Sequence, residues 1–242
     1  MSALQSFLSA LGKAATVLCC VALAMTACSR TAPPSASHSP PATPGSSSPP
    51  AAPVPGLDAD SLLVSVEDAR RIANDYGLQQ AAQGVSQRPK HFDSDAPPPC
   101  QAANDQEATF GAGWQQFRSK AYTADMPGPS VVVGGRQYPG ATKMLDVIQN
   151  ISIYPQSAAA RAALERLVPT LKACSELHVR YYDYTVTMPD PSTVVLTYPD
   201  SETSSMYRVK SAVFMQVSVL GFRNSEEITQ TMIQTITGRI TR

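Results

Sequence analysis

The segment from Ser29 to Gly56, SRTAPPSASHSPPATPGSSSPPAAPVPG, constrains this chain more than any other. It holds 9 of the 21 prolines and 7 serines, and no aromatic residue. Such a composition cannot bury enough apolar surface to offset the entropy lost on ordering. Proline keeps it extended, and at ~3.1 Å per residue its reach is at most ~90 Å. A disordered tether is expected here, which discounts His38 as a ligand and confines any compact fold to Leu57–Arg242 of the 242-residue chain. That length suits one ordinary domain with a real core. It excludes a large multidomain enzyme, a multi-span membrane protein and a disulfide-dense miniprotein.

Ahead of the tether, residues 1–28 carry one charge, Lys13. The apolar run Ala14 to Met25 spans 12 residues. That fits the centre of an export signal and falls short of the ~20 residues a spanning helix needs. Thr26 and Ala27 then precede Cys28. The stretch resembles a bacterial lipobox, whose cysteine is lipidated and becomes the new N-terminus. Met25 stands where that pattern usually has leucine, and an ordinary signal cut after Ala27 is the other reading. The expected organisation is a lipoprotein signal peptide over 1–27, a lipidated N-terminus and linker over 28–56, and a folded domain over 57–242. Two or more acyl chains on Cys28 would hold the protein stably on the extracytoplasmic face of the cell membrane, whereas one would not.

Export also sorts the five cysteines. Cys19 and Cys20 leave with the signal and Cys28 takes lipid. Cys100 and Cys174 remain in an oxidising compartment, where a structural disulfide is expected. A metal pair and a redox pair are the alternatives. Only His91 lies near Cys100, which makes a poor zinc set, and a redox pair more often reads C-x-x-C.

The folded region carries 17 basic and 19 acidic residues. It lacks the basic excess or stripe of a nucleic-acid binder and the polybasic patch of a protein held electrostatically on anionic lipid.

Periodicity places the elements. Ser65 reads as an N-cap with Asp68 three residues on, and Val66, Ala69, Ile72, Ala73 and Tyr76 follow at helical spacing toward a stop at Gly77. Residues 79–99 read as a long polar loop. Strands are expected over Glu107–Gly113 and Trp114–Ala124. SVVVGGRQY reads as a hairpin turning at Gly134-Gly135. Met144–Tyr154 alternates, with Leu145, Val147, Gln149, Ile151 and Ile153 on one face. The match of Asn150-Ile151-Ser152 to a glycosylation sequon is taken as coincidence in so buried-looking a strand.

An alanine-rich helix over 157–168, broken near Pro169, leads to Cys174. Leu177–Met188 reads as a strand and Thr193–Tyr198 as another. Met206–Gly221 supplies one or two more, with Val213, Met215, Val217 and Val219 alternating. A last helix from Asn224 turns Ile228, Met232, Ile236 and Ile240 to one side. Strands in hairpin-like runs, interrupted by helices, predict an α+β fold. Its central sheet would be mainly antiparallel with helices packed on it, leaving room for a ligand cleft.

No catalytic motif is present: neither a G-x-S-x-G elbow, a phosphate-binding loop, H-E-x-x-H nor a dinucleotide fingerprint. A triad using His91 or His178 would have to be assembled by the fold. Asp58/Asp60 and Asp93/Asp95 read as turn and loop acids. No metal site and no cofactor are expected. Aromatic residues carry more interest as ligand contacts. Trp114 is the only tryptophan. It would serve as core or as a stacking wall. In VRYYDYTVT, alternation places Arg180, Tyr182 and Tyr184 on one face. That is the chemistry of a binding groove, and equally of an amphipathic sheet surface.

Several segments together resemble one family. LLVSVEDARRI, a cysteine followed by GAGW, ISIYPQSAAARAALERLVPTLKACSE and SAVFMQVSVLGFRNSEEITQTMIQTITGRI occur in the order and spacing of the PknH-like extracellular sensor domain. The resemblance spans about Leu57–Arg242. It implies an α+β fold with a cleft suggested to bind a ligand. The family occurs as the external domain of mycobacterial receptor kinases and as free lipoproteins, and this chain looks like the latter. By position, Cys100 and Cys174 match two of its cysteines. The kinase-linked form has a second disulfide for which no cysteines remain here.

The expected function is that of a non-catalytic cell-envelope lipoprotein whose sensor-like domain binds a small molecule or wall component. A module docking another envelope protein or a receptor kinase is the alternative, and a hydrolase the third.

Overall fold

The computed structural model describes residues 56–200 and 202–240. The export signal, Cys28 and the tether up to Pro55 lie outside the described residues.

Two short helices open the fold, α1 (Ala59–Leu62) and α2 (Val66–Ala73). The Ser65 hydroxyl accepts the Asp68 N–H at 3.1 Å, so the cap is the one expected. The stop is not. Asn74 takes the left-handed conformation (φ 52°), closing α2 before Gly77 and leaving Tyr76 78% exposed. An asparagine tolerates that backbone better than most residues, and here it replaces the usual glycine.

The central sheet has seven strands. They are β1 (Gln79–Gln80), β2 (Gln116–Pro127), β5 (Thr142–Ile153), β6 (Thr185–Asp190), β7 (Thr193–Thr197), β8 (Thr203–Lys210) and β9 (Val213–Leu220). Their spatial order is β1-β2-β5-β9-β8-β7-β6, and every neighbouring pair is antiparallel. A separate hairpin, β3 (Val131–Val133) and β4 (Arg136–Tyr138), projects between β2 and β5. Its two-residue turn is Gly134-Gly135, with φ of 59° and 78°, the positive values such a hairpin turn requires.

The expected face of β5 forms: Leu145, Val147, Gln149, Ile151 and Ile153 are each 0–1% exposed. With Val213, Met215, Val217 and Val219 of β9 they pack under Ile228, Met232 and Ile236 of α6 (Ser225–Ile240). Gln149 is the polar member of that face. Its amide accepts the Val64 N–H at 2.9 Å and donates to the Val64 carbonyl at 2.8 Å, so both its groups are satisfied while it pins the α1–α2 junction. The Tyr122 hydroxyl donates to the same carbonyl at 2.6 Å, and burial pushes its pKa up to about 12.

The opposite face is also covered. It packs under α5 (Ser157–Ser175), α3 (Pro98–Gln101) and α4 (Gln106–Phe110), around Phe110, Phe117, Tyr207 and Phe214. Cys100 and Cys174 join α3 to α5 by a disulfide with Cα atoms 4.8 Å apart.

Three further sequence expectations need correction. Glu107–Gly113 is not a strand: Asp105 caps α4 there, its carboxylate accepting the Ala108 N–H at 2.7 Å. Helix α5 does not break at Pro169 but continues to Ser175. Pro169 and Glu165 are exposed, so the carbonyl left without a donor faces water. Burial of Leu164, Leu167 and Leu171, at ~1.5–3 kcal/mol each, outweighs the ~3 kcal/mol cost of the proline. Finally, Leu177–Tyr184 is a non-strand turn connection. His178 (φ 48°) and Tyr181 (φ 73°) are left-handed, and the strand begins only at Thr185.

Candidate functional site

Helix α5 covers only part of its sheet face, and register shows where cover ends. One cross-strand row runs Phe117–Ser152–Phe214–Val209, largely apolar and buried. The next runs Ser119–Asn150–Gln216–Tyr207, and the one after that Ala121–Ile148–Ser218–Ser205. From row to row Phe117 gives way to Ser119 and Ala121, and Phe214 to Gln216 and Ser218. The lost volume opens a cleft of about 570 Å³. Gln83 and Gly84, Lys90, Phe92, Asp93 and Ser94, Asn104, Tyr198 and Thr203 wall it.

The floor is a hydrogen-bonded relay whose direction is set at one end. The backbone N–H of Lys90 can only donate, and it donates to Gln106 Oε1 at 2.9 Å. Gln106 Nε2 therefore donates onward, to Asn150 Oδ1 at 3.0 Å and Ser119 Oγ at 3.3 Å. Asn150 Nδ2 donates to Gln216 Oε1 at 2.9 Å. Gln216 Nε2 then donates to the Tyr207 hydroxyl and to Ser218 Oγ, both at 3.3 Å. Ser218 and Ser205 share a bond of 2.8 Å at the open end. Gln106, Asn150 and Gln216 are 2–7% exposed, so each amide is fixed in one orientation before any ligand arrives.

The walls are held as firmly. Gly84 sits so close to β2 that an added Cβ would lie 2.3 Å from Ala121 Cβ, and its carbonyl accepts the Ser119 hydroxyl at 3.1 Å. Asp105, almost wholly buried, accepts the Phe92 N–H at 2.9 Å and His91 Nδ1 at 2.6 Å, fixing the 90–94 wall to α4. On the far wall, the Tyr198 ring packs on Tyr184 at 5.3 Å. Burial raises the pKa of Tyr198, Tyr184 and Tyr207 alike, so this wall is a neutral phenol cluster.

None of the four residues singled out as ligand contacts lines this cleft. Trp114 borders a second, shallower groove with Arg88, Pro89, Glu107 and Gly111. Its indole N–H donates to the Gly111 carbonyl at 3.1 Å and its ring packs near Phe117. Arg180 is exposed and lies 4.8 Å over the Tyr181 ring. Tyr182 stands behind the cleft rim, its hydroxyl accepting from Asn104 Nδ2 at 3.1 Å. Tyr184 is buried behind Tyr198, its hydroxyl without a partner among the described residues. The non-strand path of 177–184 separates the four, because the alternation that grouped three of them requires an extended chain.

Cys28 lies outside the described residues. Both imidazoles among the described residues pair with carboxylates: His91 with Asp105 and, at 3.4 Å, Asp93, and His178 with Asp183 at 2.9 Å. Among the described residues no group of three or more His, Cys, Asp or Glu side chains could hold a metal ion, and no helix is long and apolar enough to cross a membrane.

An antiparallel sheet covered by helices on both faces, with a cleft at the edge of one cover, defines an α+β domain. The model of the PknH-like extracellular domain matches residues 54–239, and the chain belongs to that family. The crystal structure of the extracellular domain of PknH from Mycobacterium tuberculosis superposes with a TM-score of 0.52 at 16% identity, covering 79% of this chain and 100% of that one. At that identity the likeness is one of fold. No curated protein matches the chain.

Proposed function

We propose that this chain is a non-catalytic lipoprotein of the cell envelope, anchored through Cys28, whose extracytoplasmic domain binds a small molecule or envelope component in the cleft on the Asn150–Gln216 floor. The relay carries this reading: buried amides in a fixed orientation under an open 570 Å³ space are a preformed recognition surface. A Ser218→Trp chain, with its cleft filled, is expected to lose every thermal shift that envelope glycans, lipids or polyamines give the wild type. Equal shifts in both chains would refute the cleft reading. Mass spectrometry of the membrane-extracted protein tests the anchor: an acylated N-terminal Cys28 peptide is expected, and an unmodified one overturns it.

One observation favours docking of another envelope protein as a second reading. Val131, Val132 and Val133 of the projecting hairpin are 55%, 69% and 64% exposed, and Met144 nearby in sequence is 61% exposed. Crosslinking from the hairpin in membranes, with capture lost in a Val132→Lys chain, would support that reading over the cleft.

A further inference from the structure

The cleft has an unbalanced charge. Asp146 lines it, half-buried on β5, and its carboxylate makes no hydrogen bond or ion pair with any described residue. Lys143, on the same strand, is paired with Glu202 at 2.6 Å instead. The ammonium of Lys90, the only cationic side chain among the lining residues, donates to the Gln83 carbonyl at 2.7 Å. Lys90 is tied through Gln106 to the row of Asn150. Asp146 lies four residues further along β5, roughly 13 Å at strand rise. The second lining carboxylate, Asp93, faces His91 on the rim. A carboxylate with no protein partner at one end of the cleft leaves its oxygens open to a cationic ligand group, which would make charge-assisted hydrogen bonds there.

The rest of the lining narrows the class. Beside Asp146 the floor offers the Ser218 and Ser205 hydroxyls, and Thr203 stands on the wall. Ser218 accepts from Gln216, so the hydroxyl pair has donor capacity left for a ligand oxygen. Phe92, 44% exposed, and Tyr198 are the aromatic side chains of the lining. Hydroxyl partners below, aromatic rings in the walls and one carboxylate at the end suit a compact ring bearing several hydroxyls and one protonated amine.

Resting on the cleft reading proposed above, we infer that the cleft binds an amino sugar with a free, protonated amine, and that Asp146 is its charge anchor. The amine donates to Asp146, the ring hydroxyls meet Ser205 and Ser218, and the apolar ring face packs on Phe92 or Tyr198.

Calorimetric titration of the full chain tests this, using glucosamine at a pH below its amine pKa, N-acetylglucosamine as its neutral counterpart, and spermidine as an amine without hydroxyls. Asp146→Asn keeps the shape of the side chain and removes no contact, so it is expected to fold as the wild type does. Wild type is expected to bind glucosamine, and Asp146→Asn to bind it about 10-fold or more weakly, the usual worth of a charge-assisted hydrogen bond. N-acetylglucosamine is expected to bind both chains weakly and alike, and added salt to weaken only the charged sugar. Equal affinity of the two sugars for wild type, an unchanged glucosamine affinity in Asp146→Asn, spermidine binding as tightly as glucosamine, or no glucosamine binding at all would each overturn the assignment. Should a different compound shift the wild type and not the Ser218→Trp chain, the cleft reading survives while the amino-sugar assignment falls.

Discussion

Replacing Asn150 with leucine isolates what the cleft floor contributes. The two side chains branch alike at Cγ and leucine is the larger, so the change removes polarity without opening a void. Asn150 is 2% exposed and makes two relay bonds, accepting from Gln106 at 3.0 Å and donating to Gln216 at 2.9 Å. Leucine leaves Gln216 Oε1 without a donor and one Gln106 amide hydrogen without an acceptor, both buried. At ~1–3 kcal/mol for each of the two orphans, the expected loss is ~2–6 kcal/mol. For a domain of this size that lowers Tm by roughly 4–24 °C.

The pairwise part is measurable. Adding Gln216→Met removes one of the orphans, so the double variant should lose less than the sum of the singles by at least ~1 kcal/mol. Urea and thermal denaturation of the four chains of the cycle give these numbers. A loss of ~0.5 kcal/mol or less in Asn150→Leu, or strict additivity in the double variant, would refute the directional relay.

Three further outcomes follow from the packing. Reducing the Cys100–Cys174 bond, or replacing both cysteines with serine, should cost up to ~4 kcal/mol in denaturation experiments, since the bond closes a long loop across a sequence separation of 74. Gly84→Ala should push the 82–84 turn away from Ala121, weakening ligand affinity more than stability, which paired calorimetry and melting curves would separate. Five of the nine tyrosines, Tyr122, Tyr154, Tyr184, Tyr198 and Tyr207, have pKa values raised by burial. Their stabilising share is fully present below the unfolded value of 10.0 and is lost as pH rises through the folded value, about 12 for Tyr122. An ultraviolet titration should therefore show these phenols ionising together with alkaline unfolding rather than before it.

Local signals in the sequence matched local structure well. The Ser65 cap, the β5 alternation, the Gly134-Gly135 turn and the apolar stripe of α6 are each set by a few neighbouring residues, and all four form. Helix α4 was legible too: Asp105 ahead of Gln106 and Glu107 is an N-cap signal that the strand reading of 107–113 passed over. The near-continuous run VFMQVSV in β9 marked a strand buried on both faces, as Phe214 (0% exposed) and Gln216 (6%) show, although alternation directed attention to one face.

The cleft was not legible. Its floor joins Ser119, Asn150, Gln216 and Ser205, which come from four strands and meet only through cross-strand register. No spacing within one segment encodes that. The tyrosine-rich segment misled for the converse reason: a regular alternation was carried by a connection whose backbone turns at His178 and Tyr181.

The most direct test of ligand recognition is a map of backbone amide shifts in the isotopically labelled chain, titrated first with a fractionated small-molecule extract of cell envelope and then with glucosamine. Binding in the cleft predicts shifts concentrated at Lys90–Ser94, Asn104, Thr203–Ser205 and Gln216–Ser218. Shifts confined to the Val131–Tyr138 hairpin, or none anywhere, would contradict it.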